Sequence, residues 1–220
     1  MTEIVLASAS PRRRELLAML ALPFEVEKTD TDESVQPREA PADYVQRLSR
    51  EKAEAGAVHH PEAVVIAADT IVVYLGEIMG KPRDEAHARE MLQRLRGQSH
   101  RALTGVSVRD GATGKTLTDL CDTKVTMRDM SDEEIDAYIA SGETMDKAAA
   151  YGIQNIEFAP VAQVVGCPAN VMGLPLCHVV RSLRRQGVEL PPSPPLECRV
   201  QYGYYCTIAE DVMPGLTPTG

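Results

Sequence analysis

The chain has 220 residues, enough for one large domain or two small lobes around a substantial core. Its formal net charge of −9 argues against a nucleic-acid-coating role, so any anionic ligand has to be gripped by a few placed cations. No apolar run approaches a membrane span, and "MTEIVLASAS" lacks the form of a signal sequence. The five cysteines are odd in number and lack Cys-x-x-Cys spacing, and they read as reduced thiols of a cytoplasmic protein.

Taken in chain order, residues 3–8, "EIVLAS", read as a short buried strand. Ser10-Pro11 then starts a helix over 11–20, because Ser caps free N–H groups and Pro suits the first turn. The acidic, Pro-containing 30–41 reads as a loop, followed by a helix over about 41–57. "AVVIAADTIVVYLGEIMGKP" reads as a long apolar strand, a Gly-Glu turn and a short return. Residues 84–96 predict an amphipathic helix with Ala88, Met91, Leu92 and Leu95 inward, stopped by Gly97. Strands over 99–109 and 115–127 flank the hairpin signal "DGATG", and Ser131 to Glu134 form a capping box. A further strand region and a last helix over about 172–186 complete residues 1–189, the predicted domain. Residues 190–220 are Pro-rich, hold no helical period, and read as an appended extension, disordered or docked on the surface. Strands alternating with helices around a central hairpin predict an α/β fold with a mixed sheet.

Three features stand out chemically. Arg12 and Arg13 crowd the first turn of a helix, where cations oppose the dipole unless an anion neutralises them. With Ser8 and Ser10 they make a candidate phosphate-binding turn; the plain alternative is a solvated basic helix start. Asp69 lies within an apolar strand, where an unpaired carboxylate is costly, so it is paired or sits at the strand's mouth. Lys52 shares the line of Val45 and Leu48 on the inner edge of its helix, as a site cation or a snorkelling lysine. Lys81, between Gly80 and Pro82, is a further placed cation, and Glu33 brings a second carboxylate. Such a set suits a triphosphate with Mg²⁺ and attack by a metal-activated water. No Walker or Gly-x-Gly-x-x-Gly sequence is present, and His59-His60 before Pro61 reads as loop. A zinc site from Cys167, Cys177, His178 and Cys198 is disfavoured by irregular spacing.

"LASASPRRRELL", "YVQRLSREKA", "AADTIVV", "GKPRDEAHAREMLQRLRGQSHRALTGV" and "SGETMDKAAAYGIQ" closely resemble the Maf family of nucleoside triphosphate pyrophosphatases, in the family's order over residues 3–187. The resemblance implies a mixed-sheet fold of two lobes around a cleft, like the inosine triphosphate pyrophosphatases. It implies cleavage of nucleotides to monophosphate and pyrophosphate with a divalent metal, Mg or Mn. By motif, Asp69 would be general base or metal-linked carboxylate. Ser8, Arg12 and Arg13 would bind phosphate, while Glu33, Lys52 and Lys81 would line the cleft, with Glu33 and Asp69 holding the metal. Asp146, Lys147 and Gln154 come from "DKAAAYGIQ". Arg12, Thr70 and Gln154 match the dTTP/UTP type rather than the 7-methyl-GTP type, and an amide can meet a pyrimidine's carbonyl and N–H edge. Two departures stand out: Ala149 and Asn155 replace family glycines, and Ala tolerates φ > 0 poorly. The resemblance also carries a second reading, a nucleotide-binding regulator of septum formation with little turnover. Homodimers are common in the family, though no feature of this chain demonstrates one.

Overall fold

The computed structural model describes residues 2–190, 198 and 200–214. Its centre is a mixed sheet of seven strands in the order β2-β1-β3-β5-β6-β7, with β4 added to β3. In chain order these are β1 (Ile4–Ala7), β2 (Glu25–Glu27), β3 (Val64–Tyr74), β4 (Glu77–Met79), β5 (Ser99–Asp110), β6 (Thr116–Met127) and β7 (Val161–Val165). Only β1 pairs in parallel, with β2 and β3; the remaining pairs are antiparallel.

Side-chain alternation divides β3 between two layers. Val65 and Ala67 meet Ala53 on one face, and Ile71 meets Tyr44, Val45 and Leu48; all four partners come from α2 (Pro41–His59). Val64, Ile66, Ala68 and Val72 face the larger core, with residues of α1 (Pro11–Ala18), α3 (Glu85–Leu95), α4 (Asp132–Ala140), α5 (Pro168–Val171) and α6 (Leu176–Arg185). The sheet is therefore sandwiched between helices. Helix α2 lies so close to β5 that a Cβ at Gly105 would stand 2.2 Å from the Val45 carbonyl oxygen. Only glycine fits there, and the fit draws α2, with Lys52, down onto the sheet.

Most expected elements stand where periodicity placed them, including the buried quartet of α3, the Ser10 cap of α1 and the Ser131–Glu134 capping box of α4. Three differ. The last helix does not begin near 172: α5 ends at Val171, Gly173 turns with φ +108, and α6 starts only at Leu176 after Pro175. His59 is the final residue of α2 rather than loop, held with His60 by Glu27. The C-terminal segment does contain regular structure: β8 (Val200–Gln201) and β9 (Tyr204–Tyr205) form a hairpin, and α7 (Ala209–Val212) is a short helix. Cys198, Ala209 and Met213 pack into the larger core. The expectation for the Pro-rich run at 191–197, and for 215–220, lies outside the described residues.

Candidate active site

One edge of β3 is interrupted. Residues 64–66 pair with β1 and residues 72–74 pair with β4, while β5 covers the opposite edge throughout. Asp69 stands in the gap, two residues past the Ala7–Ala67 level where β1 ends. This is the strand's mouth foreseen for a carboxylate in an apolar run. Through the gap, side chains from opposite faces of β3 share one cleft: Asp69 and Ile71 from the α2 face, Thr70 and Val72 from the other. The cleft has a volume of about 490 Å³ and continues into a second hollow of about 730 Å³ over the β1–α1 turn. The expected site residues meet in these two hollows.

Asp69 and Lys52 are both only 8% exposed, and the Lys52 ammonium donates to Asp69 Oδ1 at 2.6 Å. It also pairs with Glu33 Oε1 at 2.7 Å. The inward line of α2 thus continues from Leu48 to Lys52, and its charge is compensated by two carboxylates. Tyr44, two turns earlier on the same face, donates its hydroxyl to the Glu33 carbonyl at 2.7 Å and so fixes the acidic loop. Burial, reinforced by Asp69 and Glu33, pushes the Tyr44 phenol up to about 12, which keeps it a neutral donor. Tyr44 was missed in the sequence, although its i, i+4, i+8 relation to Leu48 and Lys52 marks it.

The arginines divide their work. Arg13 is committed to the protein: Nε donates to the Gly173 carbonyl at 2.9 Å, one Nη to Thr70 Oγ1 at 3.2 Å, the other to Ser8 Oγ at 3.5 Å. Burial lowers its pKa from the ordinary arginine value, with Asp69 opposing. Gly173 faces Arg13 so closely that a Cβ would lie 3.3 Å from Nε. Arg12 faces the cleft and reaches Asp146 at 3.3 Å, an exposed pair worth little in itself and open to replacement by an anion. Ser8 Oγ accepts from Ser10 N at 3.2 Å, and Ser10 Oγ accepts from Arg13 N, so both hydroxyls shape the turn. Lys81 lines both hollows and has no ion pair among the described residues.

Across the cleft stands the segment 142–160. Lys147 is buried and bound by Asp146 at 2.7 Å and by the Glu143 carbonyl. Gln154 lines the cleft with its amide unpartnered by protein among the described residues. Thr70, grouped with it in the sequence, is instead tied to Arg13 and to Thr104 at 2.9 Å. Tyr151 is anchored through its hydroxyl to His100 Nε2 at 2.6 Å, and burial pulls His100 down to about 4. The two glycine replacements differ. Ala149 carries φ 56° and Ala150 φ 63°, the left-handed region that costs an alanine about 1–2 kcal/mol. Asn155 is absent from the positive-φ residues; it holds Glu143 Oε2 at 2.7 Å and accepts from Phe158 N at 2.8 Å.

Glu33 and Asp69 fit a hard divalent cation. They converge on one ammonium, and each keeps a second oxygen without a protein partner among the described residues. Mg²⁺ characteristically takes one or two carboxylates and completes its shell with water and phosphate oxygens. Among the described residues, the trio of ligand atoms within 4.8 Å of one another, Glu3, Glu25 and His60, lies toward the other end of β1.

A mixed sheet with a broken edge, a buried lysine–carboxylate centre and flanking guanidinium groups describes an α/β enzyme with a cationic cleft. The family model for Maf, described as Maf-like protein, matches residues 3–186, and the chain belongs to this family. A relative from Anaeromyxobacter dehalogenans (strain 2CP-C), named dTTP/UTP pyrophosphatase, is 50% identical over 190 residues, 86% of this chain and 96% of its own length. One of the same name from Geobacter sulfurreducens is 50% identical over 184 residues, 84% of this chain and 96% of its own. Another from Bacillus cereus (strain AH187) is 43% identical, covering 86% and 98%.

Proposed function

We propose that the protein hydrolyses dTTP and UTP to the monophosphate and pyrophosphate. The observation that carries this reading is the buried Asp69–Lys52 pair opening into the same cleft as the uncommitted Gln154 amide and the arginine turn. The relatives' names point the same way.

In this mechanism Asp69 takes a proton from a water aligned on the α-phosphorus. The water oxygen forms a bond to phosphorus as the α–β bridging P–O bond breaks, and the electron pair leaves with pyrophosphate. Lys52 holds the Asp69 carboxylate in place and, with Lys81 and Arg12, offsets charge growing on the phosphate oxygens. Asp146 releases Arg12 to the incoming anion. Arg13, bound to Gly173, Thr70 and Ser8, keeps the turn in register and adds positive potential. Glu33 and Asp69 would hold the divalent cation, Mg or Mn, which would supply charge neutralisation to the triphosphate. On the far wall Gln154 donates and accepts toward the pyrimidine edge, with Lys147 and Asp146 fixing its loop.

We assign the activity to residues 1–189, with 190–220 an addition to that unit, acting on free nucleotides in the cytoplasm without nucleic acid. Among the described residues no helix is long and apolar enough to cross a membrane. The deciding experiment incubates the protein and Mg²⁺ with dTTP, UTP, CTP, GTP and 7-methyl-GTP and assays pyrophosphate and orthophosphate separately. Pyrophosphate from dTTP and UTP is expected. A preference for 7-methyl-GTP, or release of orthophosphate, overturns the reading, and a folded protein silent on the whole panel favours the binding-only regulator.

A further inference from the structure

We propose that Glu3, Glu25 and His60 form a binding site for Zn²⁺ that ties the first strands of the sheet to the end of α2. The site is separate from the nucleotide cleft. Glu3 precedes β1, whereas the phosphate turn follows it. Val64 N donates to the Glu3 carbonyl at 2.9 Å, and Asp69 lies further along β3 by roughly 16 Å of strand. None of the three residues lines either hollow.

Strand alternation brings the ligands together. Val5 and Ala7 pack with Ala53 of α2, so Glu3, two residues before Val5, shares that face. Val5 pairs in parallel with Glu25, and Ala7 with Glu27, which sets both glutamates on the same side of the sheet. His60 follows directly on α2, and its carbonyl accepts from Ala63 N at 3.1 Å, so the helix end turns back over this corner. One ligand atom from each of Glu3, Glu25 and His60 lies within 4.8 Å of the other two. His60 Nδ1 faces Glu3 Oε1 at 3.0 Å, while its Nε2 faces Glu27 Oε2 at 2.5 Å. The other Glu27 oxygen is taken by His59 Nδ1.

Glu25 distinguishes a cation site from a merely hydrogen-bonded corner. A protonated His60 has two N–H donors, and Glu3 and Glu27 already satisfy both. Glu25 adds a further carboxylate beside them, its side chain with no hydrogen bond or ion pair of its own among the described residues. Carboxylates gathered in this way repel, and a divalent cation offsets more of that charge than an imidazolium does. His60 then binds through Nδ1 and donates its Nε2–H to Glu27, the carboxylate–histidine–metal arrangement that fixes a ligand ring. The imidazole nitrogen favours zinc over Mg²⁺ or Ca²⁺, which take oxygen donors. Tetrahedral zinc holds its ligand atoms about 3.4 Å apart. The Glu3–His60 spacing is near that value, and the exposed Glu3 and Glu25 side chains are free to rotate inward. Three protein ligands leave the fourth position to water.

The test titrates Zn²⁺ into the reduced, chelator-stripped, full-length protein by calorimetry, with excess Mg²⁺ present to hold the nucleotide cleft. One equivalent bound, with a rise in Tm, is the expected result. In nitrogen-15 spectra zinc should shift His60 Nδ1 while Nε2 keeps its proton. His60→Ala and Glu25→Gln should each weaken binding by about tenfold or more, and Glu27→Gln by about 10–100-fold. Glu62→Gln, a neighbouring charge outside the site, should leave binding unchanged. Circular dichroism of the zinc-free variants checks that each is folded. Absence of the zinc isotherm in the native chain overturns the proposal, as does its survival in both His60→Ala and Glu25→Gln, which would put the ion elsewhere. Loss in His60→Ala with full binding by Glu25→Gln also overturns it, because the third ligand would then play no part.

Discussion

The two walls of the cleft are built differently. On one, Asp69 and Lys52 project from a long strand and a five-turn helix, both buried, with each charge opposed by a partner at 2.6–2.7 Å. On the other, Lys147, Tyr151 and Gln154 hang from an irregular segment with three alanines, Ala149, Ala150 and Ala159, at positive φ. Acid–base chemistry needs atoms held to fractions of an ångström, which regular elements provide. Recognition of a base tolerates a loop positioned by a few anchors, here His100, Asn155 and the Lys147–Asp146 pair. In the proposed mechanism the difference has a reason: the reacting centre is built into the sheet, whereas selectivity is assigned to a segment that can vary around it.

Four measurements would break or sharpen this contrast. Asp69→Asn should lower kcat by about 10²–10⁴-fold, since an amide accepts no proton, while Lys52 keeps Glu33 and the fold survives. Near-native turnover would remove the rigid wall from the chemistry. Next comes acid sensitivity. Burial pulls His100 and His178 down to about 4, below the ordinary 6.5, so their neutral rings contribute stability above pH 6.5 that is lost as the pH falls toward 4. The loss is up to about 3 kcal/mol per ring, readable as a falling urea midpoint. Because His100 holds Tyr151, Tyr151 fluorescence should report the change before the global transition. Third, Gln154→Ala should cut kcat/KM for dTTP and UTP by about 10–100-fold with little change in stability. An equal loss across all nucleotides would place Gln154 in catalysis rather than recognition. The smallest effect belongs to Ala149→Gly, which relieves a positive φ and should raise stability by about 0.5–1 kcal/mol, seen as a higher Tm.

Much of this architecture was legible along the chain because it depends on local chemistry. The Ser10 cap, the Ser131–Glu134 box and the period of α3 declare themselves within one or two turns. The inward line through Val45, Leu48 and Lys52 made Lys52 a candidate, and the expense of a bare carboxylate in "VVIAADTIVVYL" marked Asp69. Where local signals misled, a break or a distant partner decided. Gly173 and Pro175 split the last helix, and the C-terminal hairpin with α7 gains its place by packing on the core. Thr70 opens into the same cleft as Gln154, while Arg13 and Thr104 hold its hydroxyl, a pair of partners that the run "AADTIVV" does not announce.

The sequence by itself determined most of the elements, the charged residues at their ends and the candidacy of Lys52 on an inward helix line and of Asp69 in an apolar strand, because caps, periodicity and the cost of buried charge act over short distances. Only the tertiary structure decided that β1 and β4 leave a gap on the same edge of β3, that Arg13 closes on Gly173 rather than on open solvent, and that the C-terminal hairpin docks beside β7. Those relations depend on which strand lies beside which, and strand order is set by the burial of the whole sheet between its helices rather than by any stretch of residues alone.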